Sequence, residues 1–97
     1  MNPSQYKLSN IHFIGIGGSG MSGIAEVLNN LGYKVTGSDS ASSSNTDRLE
    51  KLGISISYDH NPDNLRDVEM VVISSAISDH NPELVSAKAV SYTHLRA

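Results

Sequence analysis

Apolar residues in this chain fall into short blocks whose spacing alternates between strand and helix periods. Ile11 to Ile16 is a β-branched run bounded by polar residues and glycine, the pattern of a strand buried on both faces. Met21, Ile24, Ala25, Leu28 and Leu31 then recur at steps of three and four, predicting a helix from about Gly18 to Leu31 that ends at Gly32. Tyr33 to Gly37 reads as a second strand that delivers Ser38 and Asp39 to its C-terminal end, and Ser40 to Asn45 is a loop. A second helix, capped by Asn45 or Thr46, runs to about Leu52, and Ile54 to Tyr58 alternates as a third strand. A turn from Asp59 to Pro62 and a short helical piece near Asp63 to Arg66 precede Met70 to Ile73, the most apolar strand. Asn81-Pro82-Glu83 starts a last helix that continues to about Ala89, with asparagine as cap and proline in the first turn.

Such alternation predicts an α/β fold: a Rossmann-like, doubly wound parallel sheet with right-handed crossovers and strand order 3-2-1-4. In open sheets of this kind the ligand crevice lies beyond the carboxyl ends of the strands, where the order reverses between strands one and four. Gly15 to Gly20, Asp39, His60, Ser74 and Ser75 all fall at that edge.

With 97 residues and 38% hydrophobic content, the chain suits one small core. Its net charge of −3 and lack of a basic stripe argue against a nucleic-acid partner. The absence of cysteine excludes a disulfide framework and thiolate metal sites. No apolar run approaches the length of a membrane span, and Met1 to Asn10 is too polar for a signal peptide, so a cytoplasmic location is expected.

The chemistry concentrates in Gly15-Ile16-Gly17-Gly18-Ser19-Gly20, between the first strand and the first helix. Residues without Cβ let a backbone approach a diphosphate, and the free N–H groups of a helix start face the anion. The same glycines also serve a tight turn and close helix-to-strand packing. An ATP-hydrolysing P-loop fails at Met21, which stands where the phosphate-binding lysine belongs. Asp39 follows the loop by about twenty residues, where a carboxylate accepts from ribose hydroxyls or a base N–H, or else caps a helix or stabilises the loop. His60 is placed to stack on or bond a base, and Ser74-Ser75-Ala76 to bond a nucleotide through hydroxyl and backbone groups. His12, inside the first strand, reads as a satisfied core or edge histidine. No carboxylate pair, histidine metal spacing or nucleophile with a nearby base stands out, so no catalytic residue is expected. These residues alone leave open an NAD-binding half of an oxidoreductase and a nucleotide-binding module without chemistry of its own.

The segment from Ile11 to Leu31, with Gly32-Tyr33, Gly37-Ser38-Asp39, Ser74-Ser75-Ala76-Ile77 and Asn81-Pro82-Glu83-Leu84, resembles the start of the Mur ligases. The similarity is to the branch that joins L-alanine to UDP-N-acetylmuramate. Its murein-recycling relatives usually carry a cysteine and bulkier residues where this chain has Gly17-Gly18-Ser19. The resemblance implies a first domain that binds the UDP part of the substrate, a central domain with the ATP-binding P-loop and catalytic groups, and a third that closes over the site. It further implies ATP and magnesium for acyl-phosphate chemistry in cytoplasmic peptidoglycan synthesis. On this pattern Gly15, Gly17, Gly18, Ser19 and Gly20 form the diphosphate loop, and Asp39, His60, Ser74 and Ser75 surround the uridine. Only the first domain is matched, so the partners are UDP-N-acetylmuramate and the missing central and C-terminal domains, and neither ATP nor magnesium has a seat here.

Residues 1–10 are therefore expected as a polar lead-in and 11–90 as the Rossmann-like domain. Residues 91–97 depart from the family, which usually continues with a proline-containing strand and an arginine. They resemble a translated cloning adapter and are expected to be an artefactual tail that leaves the fourth strand as an apolar edge.

Overall fold

The computed structural model describes residues 10–65, 67–75, 77, 80–83 and 85, and the backbone of 93–96. The expected lead-in over residues 1–9, Arg66, Ala76, Leu84 and the last helix beyond Val85 lie outside them. Five strands, β1 (Asn10–Ile14), β2 (Lys34–Ser38), β3 (Ser55–Ser57), β4 (Met70–Ile73) and β5 (Thr93–Arg96), form one sheet in the order β3-β2-β1-β4-β5. Every pairing is parallel. Helix α1 (Ser19–Asn30) crosses from β1 to β2, α2 (Ser44–Lys51) from β2 to β3, and a 3-10 turn (Pro62–Leu65) leads toward β4. The 3-2-1-4 order expected from the sequence is present.

β5 corrects the expectation for the fourth strand. Backbone partners run from Met70 with Thr93 to Ile73 with Arg96, so β4 is an inner strand. Sheet pairing uses main-chain N–H and C=O groups, and a short extended segment can satisfy them whatever its side chains.

Alternation along the strands divides the core between two faces. Ile11, Phe13, Val35 and Val72 face α1 and α2 and pack with Met21, Ala25, Leu49 and Ile54. Ile14, Val71 and Ile73 face the other way, against Leu65 and Val68. In the turn between β1 and α1, Ile16 packs over β2, where Gly37 makes room for it: a Cβ there would stand 2.7 Å from Ile16 Cβ and closer still to Cδ1.

Two local readings change. The expected core stripe of α1 holds at Met21, Ala25 and Leu28, whereas Ile24 and Leu31 are 44% and 67% exposed. Helix α2 flanks α1 through Arg48, which bonds Ser22 and pairs with Glu26. At roughly 100° per residue, Ile24 and Leu31 lie on the side of α1 opposite these contacts. The cap of α2 is Ser43, not Asn45 or Thr46: Ser43 Oγ accepts from Thr46 N–H, and Thr46 Oγ1 accepts from Ser43 N–H. Asn45 is thereby free to reach the glycine loop.

Replacing Leu31 by Gln should change stability by no more than about 0.5 kcal/mol, the range of ordinary surface substitutions. Gly37→Ala should cost about 1–3 kcal/mol through overpacking against Ile16. Urea denaturation of both variants measures this contrast.

Candidate functional site

The glycine loop divides into residues that the fold requires and residues that it leaves open. Gly15 has φ of +84°, a conformation that turns the chain off β1. The N–H groups of Gly15 and Ile16 both donate to Ser38 O, at 2.9 and 3.0 Å. A Cβ on Gly15 would lie 2.9 Å from Ser74 Cβ. Gly17 N–H donates to Asp39 Oδ2 at 2.7 Å, while its carbonyl accepts from Asn45 Nδ2 at 2.9 Å. A Cβ on Gly17 would stand 2.7 Å from that Asp39 oxygen. These two glycines thus serve internal packing.

Gly18 and Gly20 meet no such constraint. The nearest atom to a Cβ on Gly18 would be 3.5 Å away, and one on Gly20 would meet nothing within 4 Å. Both are exposed, as is Ser19 between them. Helix α1 starts here with no side-chain cap and no acidic residue in its first turn. An anion at such a helix start gains typically about 0.3–1 kcal/mol, and up to about 2 kcal/mol when partly buried. Ser22 adds nothing to this open end, because it is buried and its hydroxyl donates to Ser19 O at 3.1 Å.

Asp39 closes the end of β2. Its Oδ2 is engaged by Gly17, its Oδ1 accepts from Ser40 N–H at 2.7 Å, and its own N–H donates to Ser57 O at 3.0 Å. The carboxylate therefore ties the loop to the ends of β2 and β3, the loop-stabilising alternative to a ribose acceptor. Ser74 extends the β1–β4 ladder, with its N–H donating to Ile14 O at 3.0 Å. Ser75 is exposed on the turn beyond it, and Ala76 lies outside the described residues. Gly15 to Gly20, Asp39 and Ser74 are thus brought together at the carboxyl ends of β1, β2 and β4.

His60 enters a different constellation, centred on Glu83. The Glu83 side chain is fully buried on the face of the sheet away from α1. Ser38 Oγ donates to Glu83 Oε1 at 2.5 Å, and His60 Nδ1 lies 2.7 Å from the same oxygen. His12 Nε2 lies 2.8 Å from Oε2, which also accepts from Asn64 Nδ2 at 2.9 Å. Burial pushes the Glu83 carboxyl pKa up, but the hydrogen bonds of His12, Ser38 and His60 outweigh it and hold the group below its ordinary value. Asn81 Oδ1 accepts from Glu83 N–H at 2.9 Å, so the expected asparagine cap also orients this residue. A groove of about 270 Å³ beside the hub, lined in part by His12, Thr36 and Asn64, runs toward the amino ends of the strands, away from the glycine loop.

Sequence reasoning read Glu83 only as a helix start and left Ser38 and Asn64 without a role. Histidines inside and just beyond apolar strands, with one carboxylate in a helix start, were the available signal. Pairing them requires knowledge of which strands are neighbours.

The model described as Mur ligase family, catalytic domain, matches residues 10–97. The UDP-N-acetylmuramate--L-alanine ligase of Pelobacter propionicus is 63% identical over 82 residues, covering 84% of this chain and 18% of that protein. That of Geobacter sulfurreducens is 60% identical over 82 residues, with the same coverage of 84% and 18%. Among solved structures, UDP-N-acetylmuramate-alanine ligase from Thermotoga maritima matches with a TM-score of 0.85 at 39% identity, over 90% of this chain and 20% of that one. A UDP-N-acetylmuramate:L-alanyl-gamma-D-glutamyl-meso-diaminopimelate ligase from Neisseria meningitides matches in fold, with a TM-score of 0.83 at 24% identity, over 91% and 28% of the two chains. The chain spans less than a fifth of the length of these curated relatives.

Because the folded Glu83 carboxyl titrates below the ordinary value of 4.5, it contributes stability above that pH and loses it as the pH falls through the lowered value. Glu83→Leu should cost about 3 kcal/mol or more at neutral pH by leaving buried donors unpaired. The variant should also show a flatter stability profile between pH 5 and 3. Chemical denaturation across that range reads both effects.

Proposed function

The chain belongs to the Mur ligase family, and we propose that it is the UDP-N-acetylmuramate-binding, N-terminal domain of the ligase that adds L-alanine to that nucleotide in peptidoglycan synthesis. The observation that carries this reading is the open helix start at Gly18 to Gly20, in a chain 63% identical to such a ligase over 82 residues. Two glycines that the fold does not need leave the backbone accessible to a diphosphate. Gly15 and Gly17 shape the loop, Gly18, Ser19 and Gly20 present its N–H groups, and Asp39, His60, Ser74 and Ser75 border the uridine. Asp39 acts chiefly by restraining Gly17. Its carboxylate oxygens are already engaged by Gly17 and Ser40, which speaks against the role of a free ribose acceptor that an NAD site requires.

ATP and magnesium do not fit this chain. Met21 replaces the lysine of a P-loop, and no lysine or arginine lies within the loop. Among the described residues no cluster of three or more histidine or acidic side chains could hold a metal ion. On this reading the acyl-phosphate chemistry belongs to the remainder of a longer, cytoplasmic ligase, and this chain alone binds substrate without turning it over. No helix among the described residues is long and apolar enough to cross a membrane.

Calorimetry should detect binding of UDP-N-acetylmuramate and UDP and none of NAD. Preferential binding of NAD would overturn the assignment, as would ATP-dependent coupling of L-alanine by the purified chain. Gly20→Ala should raise stability by up to about 1 kcal/mol, because it removes a glycine from a helix. It should weaken UDP binding by about tenfold through a Cβ at the diphosphate approach. Gly23→Ala, which also meets nothing within 4 Å, should stabilise equally and leave UDP affinity unchanged. A Gly20→Ala protein that binds UDP like the wild type would argue against the loop as the diphosphate seat.

A further inference from the structure

The hydrogen-bond inventory around Glu83 fixes which nitrogen carries the proton in the neutral form of two histidines. An ionised carboxylate only accepts, and its two oxygens offer about four lone-pair sites. Four groups occupy them: Ser38 Oγ and His60 Nδ1 on Oε1, His12 Nε2 and Asn64 Nδ2 on Oε2. Each imidazole must therefore turn an N–H toward Glu83. His12 is the Nε2–H tautomer, and its Nδ1 lies 2.8 Å from Thr36 Oγ1, from which the neutral ring accepts. His60 is the opposite tautomer, Nδ1–H, with Ser38 Oγ as a second, longer acceptor at 3.1 Å.

The two rings differ in what remains. His12 is buried with both nitrogens engaged, whereas His60 Nε2 has no hydrogen bond among the described residues. The His60 side chain keeps 19% of its surface exposed, with Nδ1 turned inward to Glu83. His60 lies at the carboxyl edge of the sheet, beside Ser38, whose carbonyl anchors the glycine loop.

We infer that Glu83 is a positioning residue for ligand recognition: by fixing His60 as the Nδ1–H tautomer, it presents the Nε2 lone pair as an acceptor for a hydrogen-bond donor on the bound nucleotide. The inference rests on the UDP-binding reading for the ligand, but not for the tautomer. Two donors of a uridine diphosphate suit this acceptor, the ring N3–H and a ribose hydroxyl. An unconstrained imidazole would present a donor or an acceptor according to its surroundings. The buried carboxylate removes that choice before the ligand arrives.

Long-range proton–nitrogen NMR of the nitrogen-15-labelled 97-residue chain, from pH 6 to 9, reads the tautomer of each of its four histidines. Loss of signals in His60→Gln and His12→Gln assigns the two rings. The expected neutral forms are Nδ1–H for His60 and Nε2–H for His12, with Glu83→Gln shifting His60 toward Nε2–H. The wild-type spectrum is decisive even where a variant fails to fold, and a predominantly Nε2–H His60 in it overturns the inference. UDP should then move the His60 Nε2 signal. Either N3-methyl-UDP or 2′-deoxy-UDP should bind about tenfold more weakly than UDP, identifying the base or the ribose as donor. Equal binding of UDP and both analogues overturns the recognition role. No UDP binding beside a confirmed Nδ1–H tautomer refutes the nucleotide reading, and the recognition role with it, while the tautomer assignment stands.

Discussion

Burying a carboxylate is tolerable only when hydrogen-bond donors replace the water it loses, and the Glu83 side chain is fully buried. Its donors come from β1 through His12, from β2 through Ser38, and from the segment after β3 through His60 and Asn64. These elements are far apart in sequence, so satisfying one side chain constrains where all of them lie. Removing any donor leaves either an under-solvated anion or an orphaned partner. Such a hub gives weak net stabilisation over a well-packed apolar core. Its effect is to penalise arrangements in which the strand ends slip relative to one another.

The glycine loop stands on the same foundation. Ser38 contributes its hydroxyl to Glu83 and its carbonyl to the N–H groups of Gly15 and Ile16. Asp39, the next residue, takes the N–H of Gly17. Consecutive residues at the end of β2 thus connect the buried hub on one face to the exposed helix start on the other side of the crevice. The proposed diphosphate seat at Gly18 to Gly20 thus has a backbone already held in place, which would lower the ordering cost of binding. The open glycines leave the helix start accessible, and the packed glycines fix the geometry of the loop.

Much of this architecture was legible in local patterns. The periods of the apolar blocks located β1, α1, β2, α2, β3 and β4 to within a few residues and implied their order in the sheet. The glycine loop, Asp39 and Ser74 were readable as an edge cluster because strand ends are marked by turn residues. Less legible was which stripe of α1 is buried: Ile24 and Leu31 share the helical period with Met21 and Ala25, and only the position of α2 decides between them. The β5 pairing was equally hidden, since a four-residue strand has little pattern and its partner supplies the hydrogen bonds.

By itself, the sequence determined the elements and the chemistry at their ends, because periodicity, capping and backbone freedom act over a few residues. Tertiary structure alone decided which of those residues meet. His12 and Glu83 are 71 positions apart, and Gly17 and Asp39 are 22 apart. Contacts at such separations depend on strand order and register, which come from burial of the whole sheet and not from any local propensity. That is why the glycine turn could be recognised before the fold was known, while the carboxylate that orients His60 could not.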